Sequence, residues 1–186
     1  FAIISIILQQ VYPFKTNNMM LMEMFVIGIS SFFLSLQPNK ARVQGKYLPY
    51  VLSRTIPCAI VLVLAVESTH IVNYIVPEYF GTHLQEMSVV IITFAGLVML
   101  YRVCLPLNLY RTVLMLAMSA CCIVGLTVMP TMFFGEGYTP LDFVSILYII
   151  VVVMLCVPLS GIFIKLFDRL RENKKNDDGR GLPLRG

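Results

Sequence analysis

The sequence predicts an all-α integral membrane protein, a bundle of five full transmembrane helices plus one truncated N-terminal helix. The chain has 186 residues, of which 58% are hydrophobic and 13% are charged, and its mean hydropathy is +0.83. A soluble domain is typically about 45–50% apolar and about a quarter charged. The apolar residues also form runs long enough to cross a bilayer, without the alternating pattern of barrel strands. Helices that span a membrane are therefore favoured.

Six apolar runs predict the helices. Residues 1–12 are too short to span alone, and the chain opens in mid-run without a Met or a basic leader. We therefore expect a helix truncated at its start, in a piece of a longer protein. The five full helices are predicted at residues 19–36, 48–76, 87–104, 112–134 and 143–167. Together the six form a transport domain at residues 1–167, whereas residues 168–186 are charged, lack apolar periodicity and are predicted to be a disordered tail.

The basic residues predict the orientation of the helices. Twelve lysines and arginines lie in the loops at residues 37–47 and 102–111 or follow residue 164, and the opposite loops contain Lys15 alone. Loops rich in Lys and Arg remain on the cytoplasmic side of a membrane. The C-terminal tail is therefore expected in the cytoplasm, and the loops at residues 13–18, 77–86 and 135–142 are expected outside.

Several classes of function are not supported by the sequence. The five cysteines lie in or beside apolar runs without a CxxC or Cys/His pattern, so neither a disulfide framework nor a zinc site is indicated. The loops contain no glycine-rich phosphate loop and no Ser/His/Asp set. Because topology explains the basic residues, no nucleic-acid partner is expected, and the lipid bilayer is the predicted surrounding.

Glu23 is the main candidate for a functional residue. It lies inside the apolar run 19–36, and a charged group at the centre of a bilayer costs roughly 2.5–3.5 kcal/mol on insertion scales. Ser30 follows seven residues later, two α-helical turns along and on nearly the same face, and Ser31 lies beside it. Oxygen ligands of this kind suit hard cations such as Ca²⁺ or Mg²⁺. Glu23 is therefore either a cation ligand or gate, or a carboxylate that snorkels to the outer surface.

Two segments resemble a known family. They read VYPFKTNNMMLMEMFVIGISSFFLSLQPNK and GKYLPYVLSRTIPCAIVL. Their YPF turn, their Q-P-N-K helix end and the short basic loop before a Pro-containing helix resemble the C-terminal membrane half of bacterial P-type cation-transporting ATPases. The similarity is greatest to pumps related to cation-transporting ATPase E, several of which are linked to calcium. It covers residues 1–60, and beyond them it rests on the helix pattern.

The resemblance implies a function and roles for particular residues. The chain would be the ion-translocating part of an enzyme that uses Mg-ATP, in the inner membrane of a bacterium, with the phosphorylated aspartate and nucleotide domain in missing N-terminal parts. Alignment with the sarcoplasmic reticulum calcium pump places Glu23 on a ligand asparagine, and Ser30, Ser31 and nearby backbone would support it. A ligand aspartate of that pump falls on Ile27, so the resemblance implies a single site or a different ion instead of an identical two-calcium site. The basic residues of the loop after this helix would dock the phosphorylation domain: Lys40, Arg42 and Lys46.

Two other classes of protein remain open from the sequence. One is a stand-alone membrane bundle, such as an assembly or anchoring subunit without ATPase function. The other is a secondary transporter, although the chain shows no internal repeat and has a single deep carboxylate. An Asp-Lys-Thr-Gly-Thr motif encoded upstream would distinguish the pump from both.

Overall fold

The computed structural model of the chain describes residues 2–7, 9, 14–36, 47–77, 83–105, 108–135 and 138–180. All the regular structure in these residues is helical, which confirms the all-helical prediction. Five of the helices are long and apolar enough to cross a membrane. They cover Asn17–Ser35, Thr55–Ile75, Leu84–Cys104, Leu109–Val128 and Phe143–Arg169.

The helices follow one another in the order of the predicted apolar runs. The first two runs give α1 (Ala2–Ile7) and one continuous helix composed of α2 (Thr16–Leu21), a π-helical segment (Met22–Ile29) and α3 (Ser30–Ser35). The remaining described helices are α4 (Tyr47–Ile75), α5 (Leu84–Cys104), α6 (Leu109–Val128), α7 (Pro130–Phe134) and α8 (Phe143–Arg180).

Helix ends differ from the apolar runs where a local feature decides them. The run 112–134 is interrupted at Met129, whose backbone leaves the helical region with φ −125° and ψ 45°. Pro130 lacks an N–H group and therefore cannot continue the hydrogen-bond ladder, but it is well suited to the first turn of a new helix. α7 begins there. At the other end of the chain, α8 continues to Arg180, past residue 167 where the apolar run ends.

α5 forms the centre of the bundle. Within it, 72% of the most apolar window is buried, compared with 22% to 33% in the other four long helices. It contacts α4 and α8 on one side, and α6 and the π-helical segment on the other. Two clusters of buried apolar side chains therefore meet along this helix. One contains Val61, Ile91 and Val152, and the other contains Val26, Leu97 and Leu114.

A polar contact joins α4 to α8. The Ser68 hydroxyl and the Tyr148 hydroxyl lie 2.8 Å apart, and Ser68 Oγ is also 2.7 Å from the Ala65 carbonyl oxygen. Three other oxygen atoms on these two helices are buried without a hydrogen-bond partner among the described residues, namely Thr69 Oγ1, Asn73 Oδ1 and Ser145 Oγ. The α4–α8 interface is therefore polar near the start of α8, which fixes how these two helices face one another.

We expect Tyr148→Phe to lower the free energy of unfolding in detergent micelles by about 0.6 kcal/mol. This is the average value of an interhelical hydrogen bond in a membrane bundle, where the unfolded helices also find partners. Ser68→Ala should cost a similar amount, and the double variant should cost less than the sum because both changes remove the same bond. Strictly additive losses would show that the two hydroxyls do not interact.

A second interhelical contact depends on a glycine. Arg102, in the last turn of α5, donates a hydrogen bond from Nη2 to the Val157 carbonyl oxygen of α8 at 2.6 Å. A Cβ atom on Gly161 would lie only 2.9 Å from the same Nη2 atom. The guanidinium therefore occupies space that any other residue at position 161 would fill, while its Nε is buried without a partner among the described residues.

Gly161→Val is expected to lower the free energy of unfolding by about 0.5–1.5 kcal/mol, because the flexible Arg102 side chain can move aside but would lose its hydrogen bond to the Val157 carbonyl oxygen. The measurement is a chemical denaturation curve in detergent. Ile162→Val is the matched control, because Ile162 is 61% exposed on the same helix and should change stability little. Adding Arg102→Ala should reduce the cost of Gly161→Val. If Gly161→Val lowered the free energy of unfolding equally with and without Arg102, the new side chain would clash with a residue other than Arg102.

Candidate functional site

Glu23 lies on an unusual turn of its helix. The eight residues Met22–Ile29 are π-helical, whereas the residues on either side, Leu21 and Ser30, have ordinary right-handed helical backbone angles. π-Helical segments, with hydrogen bonds from residue i to i+5, are rare and occur frequently at functional sites. The wide turn therefore coincides with the one acidic residue of this apolar helix.

Gly28 accommodates the wide turn. A Cβ atom at this position would lie 3.1 Å from the backbone carbonyl oxygen of Glu23, five residues earlier in the same helix. Such a contact is tighter than most Cβ contacts in proteins. The hydrogen atom that glycine carries instead lets the backbone of residue 28 approach that of Glu23.

The serines predicted to support Glu23 divide between two sides of the helix. Ser30 is fully buried, and its Oγ donates a hydrogen bond to the Phe25 carbonyl oxygen at 2.8 Å. Ser31 is exposed, as is Glu23, and its Oγ donates to the Gly28 carbonyl oxygen at 2.9 Å. The structure therefore places Glu23 and Ser31 on exposed surface, while Ser30 faces the packed interior.

The π-helical segment explains why Ser30 and Glu23 do not share a face. A separation of seven residues returns to the same side only at about 3.6 residues per turn. Hydrogen bonds from i to i+5 widen each turn by roughly one residue. Over the distance from Glu23 to Ser30 the accumulated rotation falls well short of two turns, and the α-helical expectation for Ser30 is not met.

Within the part of the chain that the structure describes, the side chains near Glu23 do not form a complete metal site. None of these residues forms a group of three or more His, Cys, Asp or Glu side chains that could hold a metal ion. The oxygen atoms near Glu23 in its own helix are hydroxyl and carbonyl oxygens. A cation at this carboxylate would therefore need further ligands from outside the described residues. The loop with Lys40, Arg42 and Lys46 also lies outside them.

Sequence reasoning did not predict a cavity at the start of the same helix. Lys15, Asn17 and Asn18 line it from α2 and the residue before it, and Phe133, Phe134 and Gly135 line it from α7 and the residue after it. The sequence places residues 13–18 in a loop between two apolar runs, yet Asn18 is only 4% exposed. The feature of the sequence that could have indicated the cavity is that these polar residues directly precede an apolar run.

Comparison of the chain with protein-family models, with curated proteins and with solved structures finds no match. None of the three comparisons therefore supports the resemblance to cation pumps that the motifs of residues 1–60 suggested.

Proposed function

We propose that this chain is the ion-translocating membrane part of an ATP-driven P-type cation pump that moves calcium or another divalent cation. The observation that carries the proposal is the position of Glu23, an acidic residue on a π-helical turn within a helix apolar enough to span a membrane. A carboxylate at that depth requires a compensating partner. A transported cation supplies one, and Glu23 is its ligand.

The exposure of Glu23 fits a site that is completed by other parts of the pump. Glu23 is exposed on the surface of the described helices, as are Met24 and Ile27 of the same π-helical segment. In the proposed pump, preceding helices of the same protein pack against this surface and supply the remaining ligands. Ser31 and backbone carbonyls contribute from this helix, whereas buried Ser30 supports the helix backbone through its bond to Phe25.

Energy for transport comes from parts of the pump outside this chain. A cytoplasmic domain takes the phosphoryl group of Mg-ATP on an aspartate, and the resulting movement opens the cation site to one side of the membrane at a time. Lys40, Arg42 and Lys46 dock that domain on the cytoplasmic side, where their charges also anchor the loop. The protein lies in the inner membrane of a bacterium, with its C-terminus in the cytoplasm.

Two observations favour a second candidate, a stand-alone helical bundle without ATPase function. Glu23 is exposed, and no cluster of metal-binding side chains occurs among the described residues. In such a bundle the carboxylate snorkels to the head groups, and the basic residues serve only as membrane anchors. A secondary transporter would likewise lack the phosphorylated domain.

The experiment that separates these functions begins with the coding sequence before Phe1. An in-frame Asp-Lys-Thr-Gly-Thr motif several hundred codons upstream is expected for the pump. Membranes that contain the full-length protein should then form an acid-stable phosphoenzyme from radiolabelled ATP in a cation-dependent manner. A start codon directly before Phe1, or a full-length protein that is never phosphorylated, would overturn the proposal in favour of the stand-alone bundle or the secondary transporter.

A further inference from the structure

The cavity between the start of α2 and the end of α7 has the size of a ligand site. Its volume is about 400 Å³, within the range of about 300–1,000 Å³ typical of small-molecule pockets. Lys15, Asn17 and Asn18 form one wall, and Phe133, Phe134 and Gly135 form the other. The cavity therefore has a polar side with a positive charge and an apolar aromatic side.

Asn18 is the most informative residue of the polar wall. Its side chain is only 4% exposed, and none of the hydrogen bonds within the described part of the chain uses its amide group. The amide nitrogen and oxygen of Asn18 are not fully enclosed by protein, and Asn18 lines the cavity. A ligand there can therefore accept a hydrogen bond from its NH₂ group.

Lys15 supplies the charge of the site. It is exposed and directly precedes α2, and it pairs with no acidic side chain among the described residues. None of the described residues that line the cavity has a carboxylate or another acidic group. The ammonium group and the amide NH₂ groups are all hydrogen-bond donors, and together they favour an anion.

The aromatic wall is held in a defined position. Phe133 is 6% exposed, and the Phe134 ring stacks on the Tyr138 ring with centroids 5.1 Å apart and an interplanar angle of 18°. Gly135 ends α7 with φ +91°, a conformation that L side chains rarely adopt. Opposite the donors, the ligand therefore meets fixed apolar rings, which suits an anionic group attached to an apolar body.

We propose that this cavity binds a phosphate-bearing anion, whose oxygen atoms accept hydrogen bonds from Lys15 and Asn18 while Phe133 and Phe134 contact its apolar part. The head group of an anionic phospholipid and a free phosphate share this chemistry. The site goes beyond the proposed cation transport, because Glu23 does not line it. It would act at the end of the bundle that the charge pattern places outside the cytoplasm.

The test measures the thermal unfolding of the full-length protein in nanodiscs. Discs of phosphatidylcholine alone are compared with discs that contain phosphatidylglycerol, and inorganic phosphate is added to the first type in a separate arm. A ligand that binds only the folded state raises the midpoint of unfolding. We expect phosphatidylglycerol to raise it by several degrees in the wild type, and Lys15→Gln and Asn18→Leu to remove most of that increase.

Lys165→Gln is the matched control, because Lys165 is also exposed but lies in α8 far along the chain from the cavity residues. It should retain the full increase. Lys15→Arg keeps the positive charge and should retain most of the increase in the unfolding midpoint. If Lys15→Gln loses the increase while Lys15→Arg retains it, the loss is due to the missing charge and not to a general folding defect. An effect of inorganic phosphate alone would identify a free anion as the ligand.

Three results would overturn the proposal. One is an equal midpoint for the wild type in all arms, and another is an increase that Lys15→Gln and Asn18→Leu leave intact. The third is a loss of stability in Lys15→Gln that is the same in every lipid, since a salt bridge within the protein would produce it. None of these results bears on phosphorylation, so the cation-pump proposal fails or succeeds separately.

Discussion

In the full-length protein, Glu23→Gln is expected to abolish cation-dependent phosphorylation, or to raise the cation concentration it requires by at least about a hundredfold. Removing one partner of a charge pair in a low-dielectric site costs roughly 3–5 kcal/mol, and each 1.4 kcal/mol corresponds to a factor of ten in affinity. The glutamine side chain keeps the size and one oxygen of the glutamate but loses its charge. The measurement is phosphoenzyme formation as a function of calcium concentration.

Glu86→Gln is the matched control for this variant. Glu86 lies in the first turn of α5, at an end of the helix and not within the π-helical segment, and it is half-buried. Its replacement should leave the cation dependence unchanged within about twofold, since a carboxylate near a helix end interacts mainly with the solvent and the helix dipole. Cation dependence that is the same in Glu23→Gln and in the wild type would show that Glu23 is not a ligand.

Gly96→Leu should produce the second large effect, a loss of about 1–3 kcal/mol in the free energy of unfolding. Gly96 lies in the buried central helix α5, where a Cβ atom would be 3.1 Å from Val26 Cγ1 and 3.7 Å from Met22 Cε. Both contacts belong to the π-helical segment. A leucine therefore pushes that segment away from α5 and should lower the unfolding midpoint by several degrees, at about 2–4 °C per kcal/mol.

The same variant should also weaken cation binding, because Glu23 lies between Met22 and Val26 on the displaced segment. Val98→Leu is the control, since Val98 is on the same helix but only half-buried. Val26→Ala added to Gly96→Leu should recover part of the lost stability. If Gly96→Leu proved as stable as Val98→Leu, α5 and the π-helical segment would not pack as described.

The helices could be predicted from the sequence because their apolar runs are long. Their ends were less predictable where hydropathy and helix geometry diverge. Residues 16–18 are polar but helical, and Asn18 is buried by packing that no local pattern reveals. α8 continues to Arg180 through charged residues, since hydropathy marks where a chain leaves an apolar layer and does not mark where a helix stops.

For the candidate site, the sequence predicted Glu23 as the residue of interest but not the geometry around it. The prediction that Glu23 and Ser30 share a face was based on α-helical periodicity. No residue pattern in the sequence indicates that the hydrogen bonds between Met22 and Ile29 run from residue i to i+5. The close approach of Gly96 in α5 to Val26 is likewise a feature of the folded chain that neither local sequence shows. The cavity beside Lys15 was equally hidden, because its two walls are far apart in sequence.

The central place of α5 has a consequence for how the protein is made. α5 is synthesised before α8, so the side of α5 that packs against α8 has no helix partner until α8 has been made. Two buried hydroxyls of α5 need no such partner, because Ser88 Oγ and Thr93 Oγ1 donate hydrogen bonds to the Leu84 and Val89 carbonyl oxygens of the same helix, both at 2.7 Å. A helix that satisfies its own polar groups can remain stable in apolar surroundings before its neighbours arrive. The innermost helix of this bundle can therefore form early and be enclosed last.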